Sequence, residues 1–84
     1  MEAEFKSIIL LLTTQAMINL GEIEDPIARG EKSDKKNATL FISLLKELKD
    51  KTVGNLDHSD EIFLSEVLDN LNRIYKNKFE ESLS

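Results

Sequence analysis

The chain has 84 residues, of which 40% are hydrophobic and 32% charged, and its formal net charge is -5. This length fits a single domain spanning residues 1–84, and the apolar fraction is too high for a disordered chain. The lack of cysteine excludes disulfides, thiolate nucleophiles, iron–sulfur clusters and cysteine-ligated zinc. The acidic balance argues against a general nucleic-acid binder. The sequence therefore predicts a small all-α domain and indicates no biochemical activity.

The first predicted helix covers about residues 3–20 and is apolar on almost every side. Gly21 follows it, where a left-handed helix cap is usual. One apolar stripe has helical spacing, and other apolar residues occupy two further faces. The stripe is Phe5, Ile8, Ile9, Leu12, Ala16 and Leu20, the second face holds Leu10 and Met17, and the third holds Leu11 and Ile18. A helix with this pattern is normally buried on several sides.

A connector at 21–33, which contains Pro26 and Gly30, leads to a second helix predicted at about 34–52. Ser33 or Asp34 can cap the start of this helix. Its apolar stripe, widened by Leu44, is Ala38, Phe41, Ile42, Leu45 and Leu48. Gly54 is a strong signal that the second helix has ended.

The third helix is predicted at about 57–79, with a frayed tail at 80–84. Asp57 followed by Asp60 resembles a capping box in acidic form. Its stripe is Phe63, Leu64, Val67, Leu68, Leu71, Ile74 and Tyr75. Because the connection from the second helix is short, we expect these two helices to form an antiparallel hairpin.

Self-association is the main functional hypothesis that the apolar pattern supports. The hairpin covers one side of the first helix, so its remaining apolar faces need another partner, and exposed apolar patches mark interaction sites. We expect a twofold homodimer. The predicted interface residues are Phe5, Ile8, Leu11, Leu12, Gln15 and Ile18, of which Phe5, Ile8 and Leu12 also suit the core. In the alternative, the long connector folds over the second apolar face of a monomer.

Catalytic and metal-binding patterns are weak. His58 is the single histidine, and Asp57, Asp60 and Glu61 lie beside it. Acidic residues in a first helical turn stabilise free N–H groups and the helix dipole, whereas a zinc site recruits several His or Cys ligands. No nucleophile elbow or phosphate-binding glycine loop is present. We therefore expect no enzymatic activity, no cofactor and no metal.

The basic segment at 29–36 is the basis of a competing hypothesis. Arg29, Lys32, Lys35 and Lys36 could contact a nucleic acid, although Glu31 and Asp34 dilute their charge. The first helix lacks the cationic face of membrane-surface helices, and its apolar run is too short to span a bilayer. The acidic start lacks the basic region of a secretory leader. These features favour a cytoplasmic protein without a membrane partner.

The stretch from Lys51 to Leu56 reads Lys-Thr-Val-Gly-Asn-Leu. It resembles the Lys-Thr-x-Gly-Asn-Leu signature of a family of small bacterial helical proteins, the domain-of-unknown-function family 1844. The similarity extends over about residues 5–76. It implies an all-helical, bacterial, cytoplasmic protein and brings no activity, cofactor or catalytic residue.

The same signature has a structural interpretation. Gly54 can adopt a positive φ without steric penalty, and Asn55 is a typical turn residue. Leu56 would then enter the core, while Lys51 lies favourably near a helix C-terminus. In the alternative interpretation, Lys51, Thr52 and Asn55 form a recognition loop. The most plausible role is a non-catalytic self-association or adaptor module whose protein partner the sequence does not identify.

Overall fold

A computed structural model describes the chain over residues 3–23 and 33–80, and this part folds into three α-helices without a strand. The helices are α1 (Ala3–Asn19), α2 (Lys35–Lys51) and α3 (His58–Phe79). The all-α prediction is confirmed, and every predicted helix boundary lies within one residue of the observed one. Connector residues 24–32 and tail residues 81–84 lie outside the described part of the chain.

Two aspartates determine where α2 and α3 begin. The Asp34 carboxylate accepts a hydrogen bond from the backbone N–H of Asn37 at 3.0 Å. The Asp57 carboxylate accepts one from the backbone N–H of Asp60 at 2.9 Å. Both caps satisfy N–H groups that have no partner within the helix.

The end of α1 is a Schellman motif centred on Gly21, whose φ is 80°. The N–H of Glu22 donates to the Met17 carbonyl at 2.9 Å, and the N–H of Gly21 donates to the Ile18 carbonyl at 3.0 Å. This pair of bonds defines the motif, which favours glycine at the position of positive φ. The predicted cap at Gly21 is therefore confirmed.

The start of α2 lies beside the ends of the other two helices. The backbone N–H of Asp34 donates to the Asn19 carbonyl at 2.7 Å, which ties α2 to the end of α1. The hydroxyl oxygens of Thr39 and Tyr75 are 3.0 Å apart and join α2 to the last turns of α3. α2 therefore runs antiparallel to both neighbours, and the predicted hairpin of α2 and α3 is present.

The opposite end of the bundle brings the first turns of α1 and α3 together. Lys6 Nζ lies 2.8 Å from Asp60 Oδ1. α1 and α3 are therefore parallel, and the three helices form an up-down-up bundle.

The core lies between the three helices and contains one face of each. Its buried members are Phe5, Ile9, Ala16, Leu20, Ala38, Ile42, Leu45, Leu64, Leu68, Leu71 and Tyr75. Two residues from the predicted stripes lie elsewhere, since Ile8 is 48% exposed and Leu44 is 39% exposed. Both are at the outer edge of the contact between α1 and α2, where the neighbouring helix covers only one side of each.

Candidate functional site

An apolar surface lies where α1 and α2 pack side by side. Its most exposed members are Leu11 at 62%, Leu40 at 50%, Ile8 at 48% and Leu44 at 39%. Gln15 and Ile18 of α1 are half-buried beside them. We call these six residues the α1–α2 face.

Helical spacing explains why the α1 members of this face lie together. Leu11 follows Ile8 by three positions and precedes Gln15 by four, which places the three on one side of the helix. Ile18 lies two turns beyond Leu11. On α2, Leu40 and Leu44 are likewise one turn apart.

A shallow groove joins the two helices within this face. Ile8 and Leu12 of α1 line it together with Leu44, Glu47 and Leu48 of α2, and Lys51 lies at its end. Because α1 and α2 are antiparallel, the early turns of α1 lie level with the late turns of α2. The groove thus makes the apolar residues of the two helices one continuous surface.

The α1 side of this surface is uncharged, whereas α2 contributes the exposed Glu47 and Lys51. No charged residue occurs from Ser7 to Gly21, although 32% of the whole chain is charged. Glu4, one turn before Ile8, is exposed at the same end of the bundle as Lys51. The exposed side of α1 therefore has no charged side chains from Ser7 onwards. Exposed apolar patches of this kind normally serve as contact surfaces.

The predicted interface residues divide between this face and the core. Ile8, Leu11, Gln15 and Ile18 lie on the face, and Leu12 lines its groove. Phe5 is instead a core residue with 5% exposure. Its position in the apolar stripe of α1 also predicted a place in the core, and the burial agrees with that prediction.

The sequence interpretation missed the contribution of α2 to the face. The apolar pattern of α2 predicts no surface for Leu40 and places Leu44 in the core stripe. Their spacing of one turn, at the edge of the stripe formed by Ile42 and Leu45, is the signal for a second apolar edge.

Leu10 is exposed on a different side of α1. It is 53% exposed and lies one turn after Lys6, which contacts Asp60 of α3. Leu10 therefore lies on the α3 side of α1, away from Leu11. The two adjacent leucines have similar exposure on different surfaces.

Electrostatic interactions concentrate where α1 meets the start of α3. Lys6 Nζ contacts the fully buried Asp60 carboxylate and also donates to Ser59 Oγ at 3.2 Å. The hydrogen bond to Asp60 is the main cause that raises the pKa of Lys6 above its usual 10.5. The N–H of Asp60, bonded to the Asp57 carboxylate, lowers the pKa of Asp57 below 3.8, with a smaller contribution from the charge of Lys6. This cluster stabilises the charged forms of Lys6 and Asp57, and the contact between Lys6 and Asp60 holds α1 against α3.

His58 is exposed as the first residue of α3. The neighbouring Asp57 caps the helix, and Asp60 contacts Lys6. Among residues 3–23 and 33–80, no group of three His, Cys, Asp or Glu side chains is arranged to hold a metal ion.

Half of the predicted basic segment can be located. Arg29 and Lys32 lie outside the described residues. Lys35 Nζ lies 5.8 Å from the ring centre of Phe79, a distance typical of a cation–π contact. Lys36 is exposed in the first turn of α2. Lys78 of α3 lies at the same end of the bundle, because its Nζ is close to Gly21 and Ser33 while Lys35 contacts Phe79.

The Lys51–Leu56 signature forms the turn between α2 and α3. Thr52 caps α2, with its hydroxyl donating to the Leu48 carbonyl at 2.7 Å. Gly54 has a φ of 81°, and the N–H of Asn55 donates to the Thr52 carbonyl at 2.9 Å. Leu56 is half-buried and packs against the core. The predicted positive φ at Gly54 and core contact of Leu56 are confirmed.

The fold and this face define a class of protein: a small up-down-up three-helix domain with a largely apolar side formed by α1 and α2. The chain belongs to the family described as Domain of unknown function (DUF1844), whose family model matches residues 2–77. This membership confirms the predicted family resemblance.

No curated protein and no solved structure matches the chain. Across the described residues, no helix combines the length and apolarity that crossing a membrane requires.

Proposed function

We propose that this protein is a non-catalytic self-association module that forms a homodimer through the α1–α2 face. The observation that carries the proposal is the exposure of Leu11 and Ile8, on a helix without charge from Ser7 to Gly21, beside the exposed Leu40 of α2. Removing such a surface from water contributes about 25 cal/mol per Å² of apolar area. The proposed location is the cytoplasm of a bacterium, in keeping with the lack of cysteine.

The small size of the protomer supports the same proposal. A chain of this length buries only about 60–65% of its unfolded surface, so its stability alone is marginal. Small domains without disulfides or structural metals often gain stability from a second subunit. A dimer would cover the apolar side that the hairpin of α2 and α3 leaves open.

The mass in solution tests the proposal directly. Light scattering at micromolar concentration is expected to give twice the protomer mass of 9.6 kDa. The Leu11→Asp variant is expected to give the protomer mass with unchanged helix content, because Leu11 lies outside the core.

Leu10→Asp is the matched control, since it places the same charge on the adjacent, similarly exposed leucine. This variant is expected to remain dimeric. A wild-type mass of 9.6 kDa at all accessible concentrations would refute the proposal. Equal dissociation of the Leu10→Asp and Leu11→Asp variants would show that the contact surface is not the α1–α2 face.

A further inference from the structure

We propose that the two copies pack with α1 of each protomer against α2 of its partner, around a twofold axis parallel to the helices. This inference rests on the homodimer proposed above and specifies which partner residues each side contacts. Three properties of the α1–α2 face support it: the levels of its residues along the bundle, the position of its charges and its size.

The levels of the residues follow from contacts within one protomer. At one end, the Asp34 N–H donates to the Asn19 carbonyl at 2.7 Å. At the other end, Ile8 shares a groove with Leu48 and Lys51. The middle turns of α1 therefore lie level with the middle turns of α2.

A rotation about an axis parallel to the helices leaves every residue at its own level. It brings α1 over α2 of the partner subunit with no freedom to slide along the helices. Leu11 then lies opposite Leu44 of the partner subunit, and Gln15 lies opposite Leu40 of the partner subunit. The most exposed apolar side chain of this side of α1 thus meets an apolar side chain, Ile8 lies level with Glu47 and Leu48 of the partner subunit, and symmetry repeats these contacts.

The charges favour the same arrangement. Glu4 and Lys51 lie at the same end of the face, so this rotation places Glu4 opposite Lys51 of the partner subunit. Two opposite-charge contacts result, and complementary charges help to determine the relative orientation of partners.

The reversed arrangement, with the axis perpendicular to the helices, packs α1 on α1 and α2 on α2. It would bring the end of α2 that carries Lys51 over the start of α2 with Lys36. Like charges across an interface are unfavourable. It would also leave Glu4 without a partner cation.

The size of the face suits a reversible dimer. Each of the two helices has 17 residues, which corresponds to about 25 Å at 1.5 Å per residue. With axes about 9 Å apart, the two helices present a face of roughly 500 Å² in projection. A standard stable interface buries about 800 Å² per partner, so we expect a dimer of moderate affinity.

Disulfide cross-linking can test the orientation cleanly, because the chain has no cysteine of its own. A Leu11→Cys protein and a size-tagged Leu44→Cys protein would be mixed and oxidised. Cross-links between the two proteins are expected to exceed those within either protein. A Leu10→Cys protein, mixed with the same partner, is expected to form few cross-links.

A second measurement uses the charges at the end of the face. The Glu4→Lys and Lys51→Glu variants are each expected to weaken dimerisation, by roughly tenfold for the two symmetric contacts together. The double variant, which exchanges the charges, is expected to recover most of the affinity.

The outcomes separate this inference from the proposed function. A wild-type dimer whose Leu11→Cys protein cross-links mainly to itself, or to a Gln15→Cys protein, would overturn the orientation and leave self-association intact. A wild-type monomer would overturn both. Circular dichroism of each variant shows whether a lost cross-link reflects orientation rather than unfolding.

Discussion

At the scale of single residues, Asp60 is the charged side chain that the core contains. Its carboxylate is fully buried, and Lys6 reaches it from α1 with 42% of its own side chain exposed. Removing one member of such a pair is much more destabilising than replacing both members with apolar residues. The pair therefore fixes how α1 sits on α3 more than it adds net stability.

The Lys6→Met variant is expected to lower the melting temperature by roughly 5–10 °C, because the buried Asp60 carboxylate loses its contact with the Lys6 ammonium. The double variant Lys6→Met, Asp60→Leu is expected to recover most of this loss. Thermal unfolding followed by circular dichroism measures both. Additive effects of Lys6→Met and Asp60→Leu would contradict the proposed coupling.

The lowered pKa of Asp57 predicts that the stability of the fold depends on pH. This pKa lies below the usual 3.8, mainly because the backbone N–H of Asp60 bonds the Asp57 carboxylate. A depressed pKa contributes stability above the pKa of the unfolded chain, and this contribution is lost as the pH falls through the lower, folded pKa.

In the Asp57→Asn variant the cap remains but does not titrate. The melting temperature of the wild type is therefore expected to fall more steeply than that of Asp57→Asn below about pH 4. Above pH 5 the melting temperatures of the two proteins should change with pH in parallel. Identical slopes throughout the acid range would exclude a contribution from Asp57.

At the scale of elements, the turn between α2 and α3 depends on the backbone of one residue. Gly54 has a φ of 81°, and nothing lies within 4 Å of where a Cβ would stand. The Gly54→Ala variant is therefore expected to lose about 1–2 kcal/mol from backbone strain alone. The Gly54→Asn variant should lose less, because asparagine tolerates this conformation. Urea unfolding measures both, and equal losses would indicate a steric cause.

The helices could be predicted from the sequence because their ends carry local signals. Asp34, Asp57 and Gly21 act on backbone groups within a few positions of themselves, so spacing alone reveals them. The contact between Lys6 and Asp60 could not be predicted in this way, since it depends on how α1 and α3 pack. Asp60 therefore looked like a solvated residue of a helix start.

The candidate face was predicted only in its α1 half. Leu11 and Ile18 are far from the main stripe of α1, so their position outside the buried core follows from helical periodicity. Leu44 lies at the edge of its stripe, and whether such a residue is covered depends on the side on which α1 packs. The sequence pattern contains no information about that side.

At the scale of the whole molecule, charge and apolar surface are segregated. The net charge of -5 opposes association of the chain in general. On the α1–α2 face, α1 contributes no charge from Ser7 to Gly21, and Glu47 and Lys51 of α2 have opposite signs, so two copies can approach there with little repulsion. The acidic remainder of the molecule then disfavours growth beyond a dimer.

Self-association predicts that stability depends on protein concentration. Treating the second copy as a ligand, a rise from the dissociation constant to 100 times that value stabilises the folded state by about 2 kcal/mol. For a domain of this size the melting temperature should rise by roughly 10 °C. Calorimetry over a hundredfold concentration range measures this shift. Leu11→Asp should abolish the dependence and Leu10→Asp should retain it, whereas a wild-type melting temperature independent of concentration would argue against a dimer coupled to folding.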